Sequence, residues 1–361
     1  MSPTENTALM PLSAASAQPT IGMGVETPSA APAWWGGALS HLIARGYFGQ
    51  VRLRNPTALP THGPVLYLAL HRNGALDGFV YRAALARPFV PVLSTNLHRS
   101  WLGKILFPGL SVSRAKDRAQ GSTNARANLA ALERCVETLA ANHDVLIFPE
   151  GTSALGPVPL PFETGAASLA QRFLKTHSQL TIVPLSVRYD APWSYGSTAE
   201  VLAGPPITVH SADIKAGQDG KTVLHQQFSE ALETLFHRHH FGDADLTIRH
   251  RQPWQTVLGL CSLPLCALAL LLCAPALLAG FGAGRLLADG PNVISLWRVL
   301  IGGPVLLFWL PLLLLALGLL TSPLIAAGAG LSILGGLRQV GAARTALSLW
   351  RAQPPQTRRI R

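Results

Sequence analysis

A histidine and an aspartate stand six positions apart in the segment YLALHRNGALDGFVY, residues 67–81. The apolar run VLYLAL predicts a buried strand that would place His71 at the C-terminal edge of a sheet, where loops carry chemistry in open α/β proteins. An imidazole there can act as a general base near neutral pH, and Asp77 can fix its tautomer. The alternative is structural: His71 packs at a strand end and Asp77 is the N-cap of a helix GFVYRAALA.

Three further segments carry residue types that suit a phosphorylated substrate. They are GLSVSRAKDR at 109–118, IFPEGTS at 147–153 and IVPLSVRY at 182–189. The first offers three cations within five residues, and a guanidinium fork matches phosphate oxygens bidentately. The three cations are Arg114, Lys116 and Arg118, and for Lys116 and Arg118 a solvated loop flank is the better interpretation.

The FPEGT phrase, which directly follows an apolar run, is the most specific of these segments. Its structural alternative is a strand-ending turn in which Pro149 and Gly151 only shape the backbone. An upstream His and Asp in the same chain favour a functional interpretation over this alternative. The proline segment is weak on its own.

The elements that must position these residues alternate along residues 50–245, which predicts an α/β fold with a mixed, partly parallel sheet and flanking helices. The predicted strands are VLYLAL, FVPVLST, DVLIFPE and LTIVPLSVRY, and the predicted crossover helices are NARANLAALERCVETLAANH and FETGAASLAQRFLKTHS. A last helix, TVLHQQFSEALETLFHRHH, closes the domain. Its His237, His239 and His240 have the chemistry to bind a metal, but a solvated helix end fits them better.

The order of the four segments resembles that of the glycerolipid acyltransferases, the PlsC-like family of 1-acylglycerol-3-phosphate and lysophospholipid acyltransferases, over roughly residues 50–210. The resemblance implies a glycerolipid-acyltransferase-like fold and direct transfer of a fatty acyl group to an acceptor hydroxyl, without a covalent acyl-enzyme. It implies that His71 is the base, that Asp77 orients it, and that Arg114 holds the acceptor phosphate. Further substrate contacts are implied for Asn73, Glu150, Gly151 and Thr152, and a role on the acyl-chain side for Pro184.

Three departures from the family pattern concern the acceptor site more than the base. Five residues, not four, separate His71 from Asp77, and we expect a local bulge at Asn73 and Gly74 to absorb the extra residue, because glycine can take a positive φ. Ser153 stands where the family usually has an arginine after the threonine, and Glu163 stands where a lysine is often found. Since two cations are lost, we expect an acceptor that differs from lysophosphatidic acid.

The last third of the chain predicts transmembrane helices. No Asp, Glu, Lys or Arg occurs in residues 252–284 or 299–337, and about 20 apolar residues span a bilayer as a helix. Each run can therefore cross a membrane, and the second is long enough to cross twice or turn back at Pro323. Overall, 48% of the residues are hydrophobic and only 13% are charged.

The net charge of +11 is concentrated beside this apolar region. The tail 338–361 holds six arginines and no acidic residue, which predicts a cytoplasmic location and contact with anionic lipid. We expect an even number of spans, with the tail and the catalytic domain on the same side of an inner membrane. The loop 285–298 is less basic, with two arginines and one aspartate. By the positive-inside rule we therefore expect this loop on the side of the membrane away from the cytoplasm. No nucleic-acid motif is present.

The remaining segments carry weaker signals. Residues 1–30 contain no Lys or Arg and no long apolar core, so disorder is expected there and not a secretory signal peptide. Residues 31–50 predict an amphipathic helix on the membrane surface, anchored by Trp34 and Trp35, or equally a helix packed on the domain. The four cysteines lack the spacing of a zinc site and are interpreted as apolar residues.

The predicted organisation is a disordered segment 1–30, a surface helix 31–50, an acyltransferase domain 51–245, a transmembrane hairpin or small bundle 252–337 and a basic tail 338–361. The predicted function is acyl transfer from acyl-CoA or acyl carrier protein to a lysophospholipid-type hydroxyl, with no cofactor and no metal. Two alternatives remain open: a transacylase that uses phospholipid as donor, and a membrane protein with a catalytically inactive acyltransferase-like domain.

Overall fold

The computed structural model describes residues 34–113, 125–214, 218–242 and 253–351. The predicted disordered segment 1–30, the cations Arg114, Lys116 and Arg118, and the end of the basic tail after Arg351 lie outside the described residues.

Eight strands form one sheet in the described part of the chain. They are β1 Gln50–Arg54, β2 Val65–Ala69, β3 Phe89–Ser94, β4 Leu110–Val112, β5 Asp144–Ile147, β6 Gln179–Tyr189, β7 Thr198–Ala203 and β8 Ile207–His210. Their order is β1-β7-β6-β2-β5-β3-β4, with β8 paired to β6. The strand β6 runs antiparallel to β7 and β8, and the other pairings are parallel. The predicted mixed, partly parallel sheet is thus confirmed.

The position of β2 explains why the sequence segments meet. Its neighbours β5 and β6 both run parallel to it, with Leu66 opposite Val145 on one side and Ile182 on the other. Because parallel neighbours end at the same edge of a sheet, the residues that follow β2, β5 and β6 come together there. The residues that follow β2 and β5 are those of the first and third segments, whereas the fourth segment forms the C-terminal part of β6 itself.

Helices cover both faces of the sheet. They are α1 Trp34–Tyr47, α2 Leu76–Ala84, α3 Trp101–Leu106, α4 Ala125–Ala140, α5 Gly165–Phe173 and α6 Gln218–His237. Successive residues of β2 point to opposite faces, so Leu66 and Leu68 pack in one core with α4, α5 and α6, while Tyr67 and Ala69 pack in the other with α1 and α2. Every residue of β2 is buried, as expected for a strand covered on both faces.

The N-terminal helix α1 packs on the domain through one face. Ser40, Ala44 and Phe48, four residues apart, are buried, whereas Leu42 on the other side is 68% exposed. This spacing matches one stripe of an α-helix. The structure therefore supports the alternative of a helix packed on the domain, and it leaves an apolar residue on the outer face.

The C-terminal region is entirely helical. Its helices are α7 Pro253–Cys261, α8 Leu263–Leu272, α9 Ala274–Leu286, α10 Ile294–Leu320 and α11 Pro323–Arg351. Two segments, Pro291–Leu320 and Pro323–Ser348, are long and apolar enough to cross a membrane, and α8 with α9 forms a third candidate that is bent by 75°. Large side chains such as Phe308 and Leu320 are more than 80% exposed, which fits a lipid-facing surface.

The bent pair enters and leaves on the side of the α/β domain. Gly259 of α7 packs closely on Ala346 near the end of α11, and Gly280 of α9 packs closely on Gly302 in the first third of α10. At the bend, the indole Nε1 of Trp309 donates to Leu272 O over 2.7 Å, which places the bend beside the middle of α10. The pair α8–α9 thus folds back, so that both of its ends lie on the side of the α/β domain.

The loop between α9 and α10 lies against the α/β domain, which corrects the expectation for residues 285–298. Trp193, after β6, donates through Nε1 to Pro291 O over 2.6 Å. On α11, Arg344 pairs with Asp190 at 2.6 Å, so the end of that helix lies on the same side. The far turn of the hairpin is instead the TSP sequence, between α10 and α11. The low charge of the loop did not predict its position, because an arginine of the loop contacts the protein. Arg298 donates to Trp193 O on the α/β domain and lies 5.3 Å from the Phe281 ring centroid.

The histidines after α6 also differ from the expectation of a solvated helix end. The chain continues from α6 into a π-helical turn, Arg238–Gly242. There His239 is fully buried, with Nδ1 2.9 Å from Ser186 Oγ and Nε2 3.2 Å from Glu200 Oε1. His237 remains exposed. His239 is buried because the π-helical turn folds back onto β6 and β7.

The buried His239 network gives a pH-dependent stability. We expect His239→Ala to lower the free energy of unfolding by about 1–3 kcal/mol, because Glu200 and Ser186 each lose a buried partner. Burial lowers the pKa of His239, so the native imidazole stays neutral while the unfolded one binds a proton below about pH 6.5. The wild-type protein should therefore lose more stability than His239→Ala as pH falls from about 7 to 5.

Thermal unfolding in detergent, followed by intrinsic fluorescence across this pH range, measures the effect. His237→Ala is the matched control, since that side chain is exposed, and it should behave as the wild type. An identical pH dependence in wild type and His239→Ala would show that His239 is not the titrating group.

Candidate active site

His71 and Asp77 are in direct contact. The Nδ1 atom of His71 lies 2.8 Å from Asp77 Oδ2. Because an ionised carboxylate only accepts hydrogen bonds, Nδ1 carries the proton and Nε2 is left as the basic nitrogen. The side chain of His71 is 16% exposed, whereas Asp77 is fully buried. The extra residue between them does not prevent the predicted pair from forming.

The Asp77 carboxylate is held by the loop that it organises. Besides the imidazole, Oδ2 accepts from the backbone N–H groups of Arg72 (2.6 Å) and Asn73 (2.8 Å). The other oxygen, Oδ1, accepts from Tyr189 Oη at 2.5 Å. Asp77 is the second residue of α2, after an Ala75 N-cap, so the structural alternative of an Asp77 N-cap is wrong.

Gly74 provides the turn that returns Asp77 to the imidazole. Its φ of +55° lies in the left-handed region, where a residue without Cβ is favoured, and its carbonyl accepts from Asp77 N at 3.1 Å. A side chain at Gly74 would also have no room, because a Cβ would lie 2.8 Å from Asn292 O. This position therefore requires glycine for both its conformation and its contact.

The FPEG turn, which follows β5, is tied directly to His71. The Phe148 ring stacks on the imidazole with centroids 4.1 Å apart. One oxygen of Glu150 accepts from His71 N at 2.9 Å, and the other accepts from Leu160 N at 3.2 Å. The carbonyl of His71 accepts from Ala154 N at 3.1 Å. Burial raises the pKa of Glu150, and hydrogen bonds from these amides oppose the rise.

The site opens into a cavity of about 670 Å³. Its polar end is lined by His71, Gly151, Thr152 and Ser153. The other part extends along β3, β4, β5 and α4, and most of its lining is apolar: Val92, Leu93, Leu97, Val112, Leu129, Leu132, Cys135 and Ile147, with Ser94, Asn96, Ser113 and Asn128 among them. A cavity of this kind accommodates a molecule with a hydrocarbon chain and a polar group at the imidazole.

The predicted substrate residues divide into two groups. Gly151 and Thr152 line the cavity, and Gly151 has a φ of +64° that opens the turn beside it. Asn73 and Glu150 are buried and do not line it: Asn73 Nδ2 donates to Pro192 O over 3.4 Å, and Glu150 binds the backbone. Pro184 lies within β6, paired with Leu68, away from the cavity lining. For Asn73 and Glu150 the geometry indicates a structural role, and their predicted substrate contacts stay predictions, as does the shaping role of Pro184. Arg114 lies outside the described residues.

Sequence reasoning missed two residues that hold the site. Tyr189, the last residue of β6, reaches Asp77, and burial raises its pKa well above the ordinary value. Arg72 donates to the carbonyls of Gly156 and Val158, and its guanidinium lies 5.2 Å from the Phe236 ring centroid. Tyr189 is the last residue of the fourth segment, so its position at the end of a predicted strand could have indicated a role in the site. Arg72 gave none, because an arginine next to a histidine is ordinary in a loop.

The cavity offers one thiol, which is poorly suited to covalent catalysis. Cys135 is buried, and burial raises its pKa to about 12, so it stays protonated near neutral pH. A thiol nucleophile needs its thiolate form. Among the described residues, no group of three or more His, Cys, Asp or Glu is placed to hold a metal ion.

Comparison with known proteins agrees with this geometry. No protein of curated function matches the chain. A crystal structure of the 1-acyl-sn-glycerophosphate (LPA) acyltransferase PlsC from Thermotoga maritima is similar at 13% identity and a TM-score of 0.40, covering 55% of this chain and 78% of that one. Residues 50–188, which contain the His71–Asp77 pair and the FPEG turn, match the family model described as Acyltransferase. Over this segment, which is about two fifths of the chain, the protein is similar to the acyltransferase family.

Proposed function

We propose that the protein transfers a fatty acyl group from acyl-CoA or acyl carrier protein to the hydroxyl of a lysophospholipid-type acceptor, in phospholipid biosynthesis at a membrane. The observation that carries this proposal is the His71–Asp77 contact of 2.8 Å at the polar end of a cavity whose other part is mostly apolar. A base at one end and a hydrocarbon-binding surface at the other suit the attack of an alcohol on a fatty acyl thioester.

The proposed reaction is a direct transfer. The Nε2 atom of His71 removes the proton from the acceptor hydroxyl as its oxygen attacks the thioester carbonyl. Asp77 stabilises the imidazolium and keeps Nδ1 as the donor. When the tetrahedral intermediate collapses, the C–S bond breaks, an ester C–O bond remains, and the imidazolium returns the proton to the thiolate. The protonated state of Cys135 supports transfer without a cysteine-bound intermediate.

The other site residues take supporting roles in this proposal. Gly151 and Thr152 contact the substrate, because they line the cavity beside His71. Glu150 positions His71 through its backbone amide, and Asn73 fixes the turn that presents it. Arg114 keeps the phosphate role that the family resemblance implies for it.

The acceptor's headgroup meets an unusual charge pattern. Ser153 and Glu163 replace the two family cations, and both line the cavity together with the carboxylate of Asp289. Because these two positions lack the family's cations, we propose an acceptor that differs from lysophosphatidic acid, with Arg114 as the remaining candidate for a phosphate contact.

The proposed location is the inner membrane, with the catalytic domain facing the cytoplasm. The contacts of α10 and α11 with the domain support two spans, α8 and α9 being re-entrant, and both ends of the hairpin on the domain side. The basic tail then lies beside the cytoplasmic leaflet, whose anionic lipids attract it.

Two alternatives make different predictions from this proposal. A transacylase would take its acyl group from phospholipid and not from a thioester. An inactive domain would transfer nothing, and the assembled His71–Asp77 pair argues against it. Purified protein given labelled acyl-CoA or acyl carrier protein, with and without phospholipid, together with a set of lysolipid acceptors, separates the three.

His71→Ala should reduce acyl transfer by about two to four orders of magnitude, because general-base assistance contributes that much. The fold should persist, because Asp77 keeps the two backbone amides and Tyr189 as donors, but the loss of the imidazole N–H should lower the free energy of unfolding by about 1–3 kcal/mol. Asp77→Asn should also be strongly impaired, because the amide cannot accept as the carboxylate does. Single-turnover rates with labelled donor measure both variants. His210→Ala, at an exposed position on β8, is the matched control. Near-full activity in His71→Ala would refute the proposed base.

Gly74→Val should abolish most activity although no reacting group is changed. A β-branched residue at positive φ costs on the order of 1–3 kcal/mol, and its Cβ would approach Asn292 O. Asp77, three residues further on, should then move away from the imidazole. Gly46→Val is the control, because Gly46 is an exposed helical glycine in α1 and a Cβ there meets no atom within 4 Å. If Gly74→Val and Asp77→Asn were both fully active, the pair would not be a catalytic dyad.

Cysteine labelling tests the two-span arrangement. In a protein whose four native cysteines are replaced, Thr321→Cys should react with an impermeant maleimide added outside intact cells, because it lies at the far end of the hairpin. Pro355→Cys in the basic tail should be protected until the cells are opened. Labelling at position 355 from outside would indicate an odd number of spans.

A further inference from the structure

The loop 287–293, which joins the apolar helices α9 and α10, makes direct contact with the catalytic segments. The Nδ2 atom of Asn292 donates to Ser153 Oγ at 2.6 Å and to Ser153 O at 3.1 Å. The backbone oxygen of Asn292 lies against Gly74, where a Cβ would come within 2.8 Å. One residue of the C-terminal region thus touches both the turn after His71 and the turn after β5.

The same loop forms a wall of the cavity. Asp289, Asn292 and Val293 line it, together with Leu296 in the first turn of α10. They lie with His71 and Gly151 at the polar part of the lining. The catalytic domain alone therefore does not enclose the site, since these C-terminal residues complete it.

The loop is held in this place on both sides. Ser295 donates through Oγ to Pro192 O at 2.5 Å, and Trp193 donates to Pro291 O. Leu296 and Val299 pack against the core that contains Tyr67 and Phe79. These contacts fix the backbone on both sides of Asn292, so its side-chain amide is held next to Ser153.

The geometry of Ser153 explains what this contact does. Ser153 follows the FPEG turn by two residues, and the next residue, Ala154, donates its N–H to His71 O at 3.1 Å. An amide that binds both Oγ and O of Ser153 fixes the backbone immediately before that bond. The orientation of the turn over the imidazole is then coupled to the loop between the apolar helices.

We propose that Asn292 is a positioning residue for acyl transfer: by binding Ser153 it holds the turn that follows the FPEG segment over His71, and loop 287–293 is a part of the active site. The inference rests on the proposed function. In this arrangement the apolar helices do more than anchor the enzyme, because their loop closes the end of the cavity at which the acceptor hydroxyl meets the base.

Full-length protein in lipid nanodiscs, given acyl-CoA and lysophospholipid, tests the inference. Asn292→Ala should lower kcat by about 10- to 100-fold, the scale expected when reacting groups lose their alignment, with a smaller change in the KM for the donor. Asn292→Asp has the same shape but presents oxygens to the Ser153 carbonyl, so it should be at least as impaired. Asn292→Gln keeps an amide donor and should recover part of the activity.

Two further measurements distinguish positioning from loss of folding. Hydrogen exchange should show faster exchange of the Ala154 amide in Asn292→Ala, with an unchanged melting temperature. Ser322→Ala is the matched control, because it removes a polar group from the turn at the other end of α10, and it should match the wild type in kcat and exchange.

The outcomes separate the two proposals. Wild-type protein that transfers no acyl group from either thioester donor would refute the proposed function, and the catalytic role of Asn292 with it. Active wild-type protein with unchanged kcat and unchanged Ala154 exchange in Asn292→Ala would overturn the inference alone. A drop in kcat that is matched by a fall in melting temperature, and is not recovered by Asn292→Gln, would also overturn it.

Discussion

The buried carboxylate of Asp77 is the constraint on which the site depends. An ionised group without solvent needs a full set of donors, and here four converge on it: one imidazole N–H, two backbone amides and one phenol. Two of these donors belong to the residues directly after His71, so the loop can satisfy the carboxylate only when it presents the imidazole. Orientation of the base and satisfaction of the buried charge are therefore the same event.

The parallel strands make this local arrangement part of a larger one. Because β2 lies between β5 and β6, its C-terminal loop is flanked by the FPEG turn on one side and by Tyr189 on the other. Glu150 then reaches the amide of His71 from one neighbour, and Tyr189 reaches Asp77 from the other. The imidazole is thus held by residues of the strands on both sides of β2. Glu150 directly follows β5, and Tyr189 is the last residue of β6.

Much of this was predictable from the sequence, and the reasons are physical. The strand VLYLAL is wholly apolar because both its faces are covered, so its end and the position of His71 were clear. The need for a flexible residue between His71 and Asp77 pointed to Gly74, whose φ is indeed positive. The roles of Glu150 and Asn73 were not predictable, since a motif shows that a residue belongs to a site but not which way its side chain points.

The C-terminal region shows a different limit of sequence reasoning. Its apolar runs predicted long apolar helices, but run length does not distinguish a span from a re-entrant pair, and the charge of loop 285–298 gave no sign that it packs on the α/β domain. That packing depends on tertiary contacts. Trp193 and Ser153 on the domain, and Asn292 on the loop, are polar residues whose pairing has no periodic signal.

The placement of this loop also suits the chemistry of the substrates. A lysolipid acceptor keeps its hydrocarbon chain in the bilayer and its hydroxyl near the headgroups, so the base must work at the membrane surface. In this protein the loop at the domain-side ends of the apolar helices forms one wall of the cavity that contains His71. In the proposed membrane arrangement, the helices that set the depth of the protein in the bilayer would therefore also set the distance of His71 from the bilayer surface.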